Sequence, residues 1–253
     1  PGYFGLCGVR KNINGTLYAT NFGYSVATHI DPIEKKPLFH FLPNSKTYSF
    51  GTIGCNLTCH WCQNFEISQS QNYSKKPVGQ KISPLRHIKN AITTGCPSIS
   101  YTYTEPTIFF EYALETMKLA HKNNLKNIWV TNGHINHLPL KKIVPYLDAA
   151  NLDIKAFDTK IHQNFTGANP AIIRKNAEFL YKSSVHLELT TLIVPTVNDN
   201  TEELKQIAEW IASISKNIPW HLSRFFPCYK MLNLAITPIE TLKTAKKIGQ
   251  AAG

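Results

Sequence analysis

The sequence predicts an α/β fold, a partial (β/α)6 TIM-like barrel preceded by a β-rich N-terminal extension. From about Tyr48 onward, short runs of β-branched or aromatic residues alternate with longer helical patterns. This alternation is typical of a parallel sheet built from strand–helix units. Six such units fall short of the eight that close a full barrel. We therefore expect a sheet that stays open on one side, where a large substrate could enter.

The predicted elements follow one another in regular order from residue 48. The six strands are residues 48–53, 98–103, 127–131, 150–154, 185–194 and 220–225. The helices are residues 84–94, 107–123, 138–147, 170–183, 201–215 and 238–251. Three helices start at a Pro that follows Ser83, Asn169 or Thr237. Pro suits the first turn of a helix, and the preceding polar side chain can cap it.

The extension comprises residues 1–47, and the barrel comprises residues 48–253. Within the extension, residues 16–29 have strand-like composition. Residues 31–37 are rich in turn formers and predict a connector. We expect the extension to pack against the barrel as an irregular β-rich layer.

Composition limits the class of protein. The chain has 253 residues, of which 43% are hydrophobic, enough to bury a sizeable core. It has no run of about 18 apolar residues, and its first residues lack the layout of a signal peptide. We therefore expect a cytoplasmic protein with no membrane contact. Six cysteines could form disulfides in a secreted protein, but their clustered, uneven spacing favours metal binding.

The formal net charge is +11, from 27 Lys and Arg against 16 Asp and Glu. Such a charge suggests an anionic partner, and an acidic electron donor such as flavodoxin or ferredoxin would fit it. A solvated basic surface is the simpler interpretation. Nucleic acid is a less favoured partner because the basic residues are scattered. They occur in pairs at Lys35-Lys36, Lys75-Lys76, Lys141-Lys142 and Lys246-Lys247.

Three of the six cysteines, Cys55, Cys59 and Cys62, lie within eight positions. Thiolates on so short a loop can converge on three corners of a [4Fe–4S] cluster and leave the fourth iron open. A zinc site that needs a distant fourth ligand is the alternative.

Five later strand ends carry polar residues for which a hydrophobic core has little use. In a barrel of this type, working residues lie on the loops that leave the carboxyl ends of the strands. These polar ends would therefore ring a cavity that faces the cysteine loop. They are residues 102–106, 131–134, 151–155, 195–199 and 221–224.

The pattern Cys55-x-x-x-Cys59-x-Trp61-Cys62 resembles the signature loop of the radical S-adenosylmethionine (SAM) superfamily. More narrowly, the sequence resembles the AmmeMemoRadiSam-system radical SAM proteins, relatives of the pyruvate formate-lyase activating enzymes. That likeness covers nearly the whole chain. It is carried by residues 51–56, 62–64, 67–69, 101–107, 152–157, 193–199 and 220–225.

The resemblance implies an enzyme in which SAM chelates the open iron of a [4Fe–4S] cluster. Reductive cleavage of SAM would give a 5′-deoxyadenosyl radical that takes hydrogen from an unknown substrate, with activation of a glycyl-radical enzyme as one candidate reaction. A low-potential donor, flavodoxin or ferredoxin, would supply the electron. The alternative function is a non-catalytic iron–sulfur electron carrier or metal-binding protein.

The resemblance also assigns residues. Cys55, Cys59 and Cys62 would bind the cluster. Trp61 would lie beside the adenine of SAM, with a core aromatic as the alternative. Asn64 would bind the nucleoside, with a loop cap as the alternative.

Further SAM contacts are implied at the later strand ends. Many members carry Gly-Gly-Glu after the second strand, where this motif binds the ammonium group of SAM. Thr104 and Glu105 stand at that place in this chain and would make the same contact. Glu105 could instead stabilise the start of a helix. Asp153 would accept from the ribose and Lys155 would bind the carboxylate of SAM, with a structural ion pair as the alternative. His221 matches a nucleoside-side His, or is a strand-edge residue.

Some positions depart from the family pattern. Val130 stands where related enzymes commonly have Asp, so one polar contact is missing. Cys7 resembles the last cysteine of an N-terminal motif whose other members are not in this chain. Together with the end at Gly253, where relatives continue, this predicts that both termini are truncated.

Overall fold

One seven-stranded sheet organises the protein, whose computed structural model describes residues 2–69 and 77–253. The order of its strands is β11-β10-β9-β8-β7-β5-β4. Six of these strands are parallel, and β4 pairs antiparallel with β5 at one edge. The strands are β1 Arg10–Ile13, β2 Thr16–Ala19, β3 Tyr24–Ser25, β4 Ala27–Pro32, β5 Lys46–Gly51, β6 Gln80–Lys81, β7 Ser98–Tyr101, β8 Lys126–Thr131, β9 Ala149–Asp153, β10 His186–Ile193 and β11 Trp220–Arg224.

The six parallel strands confirm the predicted partial barrel. Two small sheets, β1 with β2 and β3 with β6, complete the described strands and belong largely to the extension. The extension also adds β4 as a seventh strand to the main sheet. The predicted boundary between the extension and the barrel, after residue 47, falls inside β5, which begins at Lys46. The basic pair Lys75-Lys76 lies outside the described residues.

Most of the helices pack against the sheet or against one another on its outer side. They are α1 Phe65–Ser68, α2 Pro84–Thr93, α3 Phe110–Lys122, α4 His137–Ile143, α5 Thr159–Thr166, α6 Pro170–Lys182, α7 Thr201–Ile214 and α8 Ile239–Ala252. The predicted helix 138–147 ends early as a 3-10 turn at Val144–Tyr146, because Pro145 has no N–H for an α-helical bond. None of the described helices is long and apolar enough to cross a membrane.

Two of the three predicted caps are observed. The Ser83 side chain accepts from the backbone N–H of Arg86, and the Asn169 side chain accepts from that of Ala171. The third prediction was wrong. Thr237 is fully buried, and its hydroxyl donates to the carbonyl of Ile193 at 2.6 Å, so it ties β10 to the last loop.

The main core lies between the sheet and the helices. Aromatic side chains fill it, among them Phe50, Tyr101, Phe109 and Trp129, each at most 1% exposed. Burial of a side chain of this size contributes roughly 1.5–3 kcal/mol. His87 of α2 is also fully buried there, with its ring stacked on Phe50 at a centroid distance of 3.9 Å.

His87 is expected to make the stability of the fold depend on pH. Its ring nitrogens lie 3.1 Å from the Tyr48 hydroxyl and 2.5 Å from the Tyr112 hydroxyl. Burial lowers the pKa of His87 to about 3, so the unfolded state binds one more proton between that value and about 6.5. Over this window the His87 contribution rises with pH, by at most about 1.4 kcal/mol per pH unit.

Urea unfolding at pH 7 and pH 5 checks this prediction. The His87→Gln variant should lose less stability than the wild type on going from pH 7 to pH 5, whatever its absolute stability. Equal losses in the two proteins would contradict the prediction.

Residues 33–41, called the inner segment, pack inside the barrel against β8, β9 and β10. A 3-10 turn at Ile33–Lys35 follows β4. The amides of Phe39 and His40 then donate to the carboxylate of Glu188 on β10. The centre of the Phe39 ring lies 5.2 Å from the centre of the His221 ring on β11. The predicted connector is therefore partly strand and partly a segment that fills the interior of the barrel.

Candidate functional site

A cavity of about 780 Å³ lies at the carboxyl ends of the parallel strands. Nine of the ten predicted site residues line it. They are Cys55, Cys59, Trp61, Cys62, Asn64, Thr104, Glu105, Asp153 and Lys155.

The cysteine loop follows β5 and is fixed by close backbone contacts. Gly54 has φ +97°, and a Cβ there would lie 2.3 Å from the carbonyl oxygen of Cys7, so this position requires glycine. Backbone N–H groups of Thr58 and His60 donate to carbonyls of Thr166 and Phe165 at the end of α5. Helix α5, which the sequence did not predict, therefore supports the loop.

The three thiols are partly or fully buried. Cys55 accepts hydrogen bonds from the Leu57 amide at 3.4 Å and from Asn132 Nδ2 at 3.8 Å. Burial raises the pKa of Cys59 to about 11, although Lys155 opposes this, and burial also raises the pKa of Cys55. Such thiols stay protonated until a metal replaces the proton.

The donor set fits a [4Fe–4S] cluster. All three thiols face one cavity, and N–H donors already point at a sulfur, an arrangement that tunes cluster potentials. Within residues 2–69 and 77–253, no three His, Cys, Asp or Glu side chains are grouped closely enough to hold a single metal ion. A cluster instead needs its thiolates spread over three irons.

Glu105 is 1% exposed, and its carboxylate makes five hydrogen-bond contacts with four donors, because the Thr131 hydroxyl contacts both oxygens. They come from the amide and hydroxyl of Thr107, the hydroxyl of Thr131 and the amide of Asn132. Burial raises the pKa of Glu105, and these bonds oppose the rise. The carboxylate therefore caps the following helical turn and ties the loop after β7 to the end of β8. Its contact with SAM stays a prediction.

Asp153 and Lys155 form an ion pair of 2.7 Å on the cavity wall. The Lys155 side chain is only 15% exposed, against 38% for Asp153. Burial lowers the pKa of Lys155, but Asp153 and the nearby Cys59 thiol outweigh it and raise the pKa overall. The ion pair predicted as the alternative is present, and it faces the cavity beside the cysteines.

Trp61 is 3% exposed and packs with Val194, Val197 and Phe225, yet its surface borders the cavity. It is therefore both a core aromatic and a cavity residue.

Asn64 and Thr104 use their polar groups to join neighbouring loops. Asn64 Nδ2 donates to the carbonyl of Tyr103 at 2.7 Å, and the Thr104 hydroxyl donates to the carbonyl of Thr52 at 2.8 Å. The Asn64 side chain makes no cap to α1. Within the described residues, no donor contacts the Asn64 Oδ1 or the Thr104 Oγ1, and both oxygens can accept from a ligand.

His221 does not border the cavity in the described part of the chain. Its Nε2 lies 2.6 Å from Glu188, a fully buried carboxylate that His186 also contacts at 2.8 Å. Two positions before the cavity residue Ser223 on β11, His221 lies one layer deeper in the barrel. The predicted nucleoside contact of His221 stays a prediction.

The cavity also contains residues to which the sequence assigned no role. Asn132 and Arg224 were predicted only as members of polar strand ends, whereas Lys35 and Lys36 were assigned to the surface or a connector. Both lysines contact Asp31, at 2.9 Å and 2.6 Å. The buried position of Lys36, 2% exposed, had no sequence signal because its partners come from β4 and the loop after β7.

Comparison with known proteins finds relatives by sequence and, separately, solved structures of similar fold. The chain is 39% identical over 253 residues to an uncharacterized protein of Methanocaldococcus jannaschii, covering all of this chain and 74% of that protein. It is 20% identical over 162 residues to the pyruvate formate-lyase 1-activating enzyme of Escherichia coli K12, covering 62% of this chain and 65% of that enzyme.

The solved structure of TYW1 with a lysine-pyruvate adduct bound has a TM-score of 0.61 with 15% identity, covering 90% of this chain and 85% of that chain. At this identity the likeness shows the fold alone. A family model of the Radical SAM superfamily matches residues 50–211, from the end of β5 into α7. Because this match covers more than half of the sequence, the chain belongs to the radical SAM superfamily.

Proposed function

We propose that this protein binds a [4Fe–4S] cluster at Cys55, Cys59 and Cys62 and uses it to cleave SAM reductively. The observation that supports this most strongly is that three partly buried thiols share one cavity with the polar ends of the neighbouring strands. When bound, the two cofactors supply a 5′-deoxyadenosyl radical that takes a hydrogen atom from a substrate.

The residues of this chain would bind, orient and shield the cofactors. The Lys155 ammonium attracts the carboxylate of SAM, and Asp153 accepts from ribose hydroxyls. Asn64 and Thr104 offer oxygen acceptors on the adjacent wall. Trp61 presents apolar ring surface for the adenine and helps to exclude water from the cysteines. Glu105 and Asn132 hold the loops after β7 and β8 in fixed positions relative to each other.

Activation of a glycyl-radical enzyme is the finer proposal for the reaction. It is supported by the 20% identity to the pyruvate formate-lyase 1-activating enzyme. An acidic flavodoxin or ferredoxin is the proposed electron donor, supported by the net charge of +11. Reduction by such a donor should slow strongly with rising salt, whereas reduction by dithionite, a much smaller anion with less charge, should slow less.

The direct test measures SAM cleavage. The protein is reconstituted anaerobically with iron and sulfide, then given SAM and dithionite, and 5′-deoxyadenosine is quantified. A correctly formed cluster that yields no 5′-deoxyadenosine, and whose electron paramagnetic resonance spectrum does not change on adding SAM, would indicate a non-catalytic electron carrier instead.

Lys155→Met is expected to weaken SAM binding by about 10- to 100-fold, as the loss of a charge-assisted hydrogen bond does. A calorimetric titration of the reconstituted protein with SAM measures this change in affinity. The matched control is Lys126→Met, since Lys126 forms an ion pair of the same 2.7 Å length with Asp148 outside the cavity. Equal affinities in the two variants would remove Lys155 from the SAM site.

A further inference from the structure

The cavity contains more positive charge than the proposed cofactors use. Lys155 is paired with Asp153, and the carboxylate of Glu105 is saturated by hydrogen bonds. Three further cations border the same cavity: Lys35, Lys36 and Arg224, called the basic wall. The carboxylate that faces them is Asp31, which both lysines share.

Arg224 is the best-placed cation of the basic wall. It ends β11, and its Nε donates to the carbonyl of the buried Thr237 at 2.7 Å, which fixes the direction of the guanidinium. The guanidinium carbon lies 5.6 Å from the centre of the Phe226 ring, another residue of the cavity wall. Among the ion pairs of the described residues, none includes Arg224. Its terminal N–H groups are therefore free of a carboxylate.

The two lysines reach the cavity because the inner segment packs inside the barrel. Asp31 neutralises one of them, so together with Arg224 the basic wall keeps a charge of about two units. A low-dielectric cavity strengthens the attraction of such a wall for an anion. A guanidinium with free N–H groups matches the geometry of a carboxylate or a phosphate.

We propose that Arg224, Lys35 and Lys36 bind an anionic group, a carboxylate or a phosphate, of the substrate. This inference rests on the proposed function, because it assigns the substrate side of the same cavity. Lys155 lines the same cavity as the three thiols and pairs with Asp153, and it would hold the carboxylate of SAM itself. The basic wall is then available to bind the substrate, which is the second reactant.

The test uses the reconstituted protein with SAM bound and needs no turnover. Phenylglyoxal modifies arginine side chains, and peptide mass spectrometry reports the labelling rate at each one. Inorganic phosphate and acetate, added separately, should each slow labelling of Arg224, with the stronger protector identifying the anionic group. Arg86, an exposed arginine of α2 outside the cavity, is the matched internal control and should label at an unchanged rate.

A second measurement uses variants and calorimetry with the anion that protects better. Arg224→Gln should weaken its binding by about tenfold or more, and Arg224→Lys should retain part of the affinity. Lys35→Gln should weaken it less, because Lys35 is 65% exposed. Arg86→Gln should have no effect.

Two results would overturn the proposal. One is equal labelling of Arg224 with and without both anions. The other is full protection of Arg224 by SAM alone, which would assign the residue to the cofactor. Formation of 5′-deoxyadenosine by the same preparation is measured separately, so failure of the anion site and failure of the proposed function are distinguishable.

Discussion

Cys59→Ala is expected to abolish cluster binding and to reduce 5′-deoxyadenosine formation by more than about 100-fold. Loss of a residue that only contacts a metal ligand already lowers metal affinity or activity by about 10- to 100-fold, and Cys59 would itself be a ligand. Cys59 is 7% exposed, and it is the central cysteine of the loop held by α5. Without its thiolate, one iron would lose its protein ligand, and no other described Cys lines the cavity apart from Cys55 and Cys62.

Cys96→Ala is the matched control for this prediction. Cys96 is 2% exposed, in the main core rather than at the cavity. Its replacement should reduce stability slightly and leave the iron content and visible absorption of the reconstituted protein unchanged. A Cys59→Ala protein with full iron content and activity would contradict the proposed cluster site.

Asp31→Asn is expected to destabilise the fold by about 3–5 kcal/mol, the usual cost of leaving one partner of a buried ion pair alone. Asp31 is 4% exposed and accepts from Lys36 at 2.6 Å, Lys35 at 2.9 Å and the Tyr103 hydroxyl at 2.6 Å. Its loss would leave the ammonium of Lys36 buried without a carboxylate. Urea unfolding at pH 7 measures the change.

The pH dependence of this effect has a defined sign. Burial raises the pKa of Asp31, but the bonds from Lys36, Tyr103 and Lys35 outweigh it and hold the pKa well below its usual range. The contribution of Asp31 is therefore complete above about pH 4, the pKa of the unfolded chain. It is lost as the pH falls further toward the pKa of the folded state. The difference between wild type and Asp31→Asn should shrink in that acid range.

A double variant separates the buried pair from general disruption. Asp31→Asn combined with Lys36→Met removes both buried charges and should recover most of the lost stability. Glu240→Gln removes one partner of an exposed pair with Lys243 and should change stability by less than about 0.5 kcal/mol. If Asp31→Asn is as stable as Glu240→Gln, the ion pair does not hold the inner segment in the barrel.

The inner segment links these predictions to function. It positions Lys36 at the cavity through Asp31, and its amides bind Glu188 in the interior. A variant that releases the segment should therefore reduce stability and displace Lys36 from the cavity.

The sequence by itself determined the alternation of strands and helices and the position of the cysteine loop. Both are local properties. Strand and helix periods appear within a few residues, and the three cysteines lie on one short loop, so their convergence needs no distant partner. Helix α5 was missed because its eight residues are mostly polar or β-branched, and it depends on the Asp158 cap and on Gly167 at φ +80°.

Only the tertiary structure decided how the polar groups are used. Phe39 and Glu188 are 149 positions apart, yet their hydrogen bond holds the inner segment. Glu105 is saturated by the end of β8 and its own helical turn, whereas His221 contacts the buried Glu188 one layer below the cavity. A polar residue at a strand end can bond to a ligand or to another loop with similar energy. Whether such a residue bonds to a ligand or to the protein depends on which distant groups the fold brings within about 3 Å of it. That distance cannot be read from the neighbouring residues in the sequence.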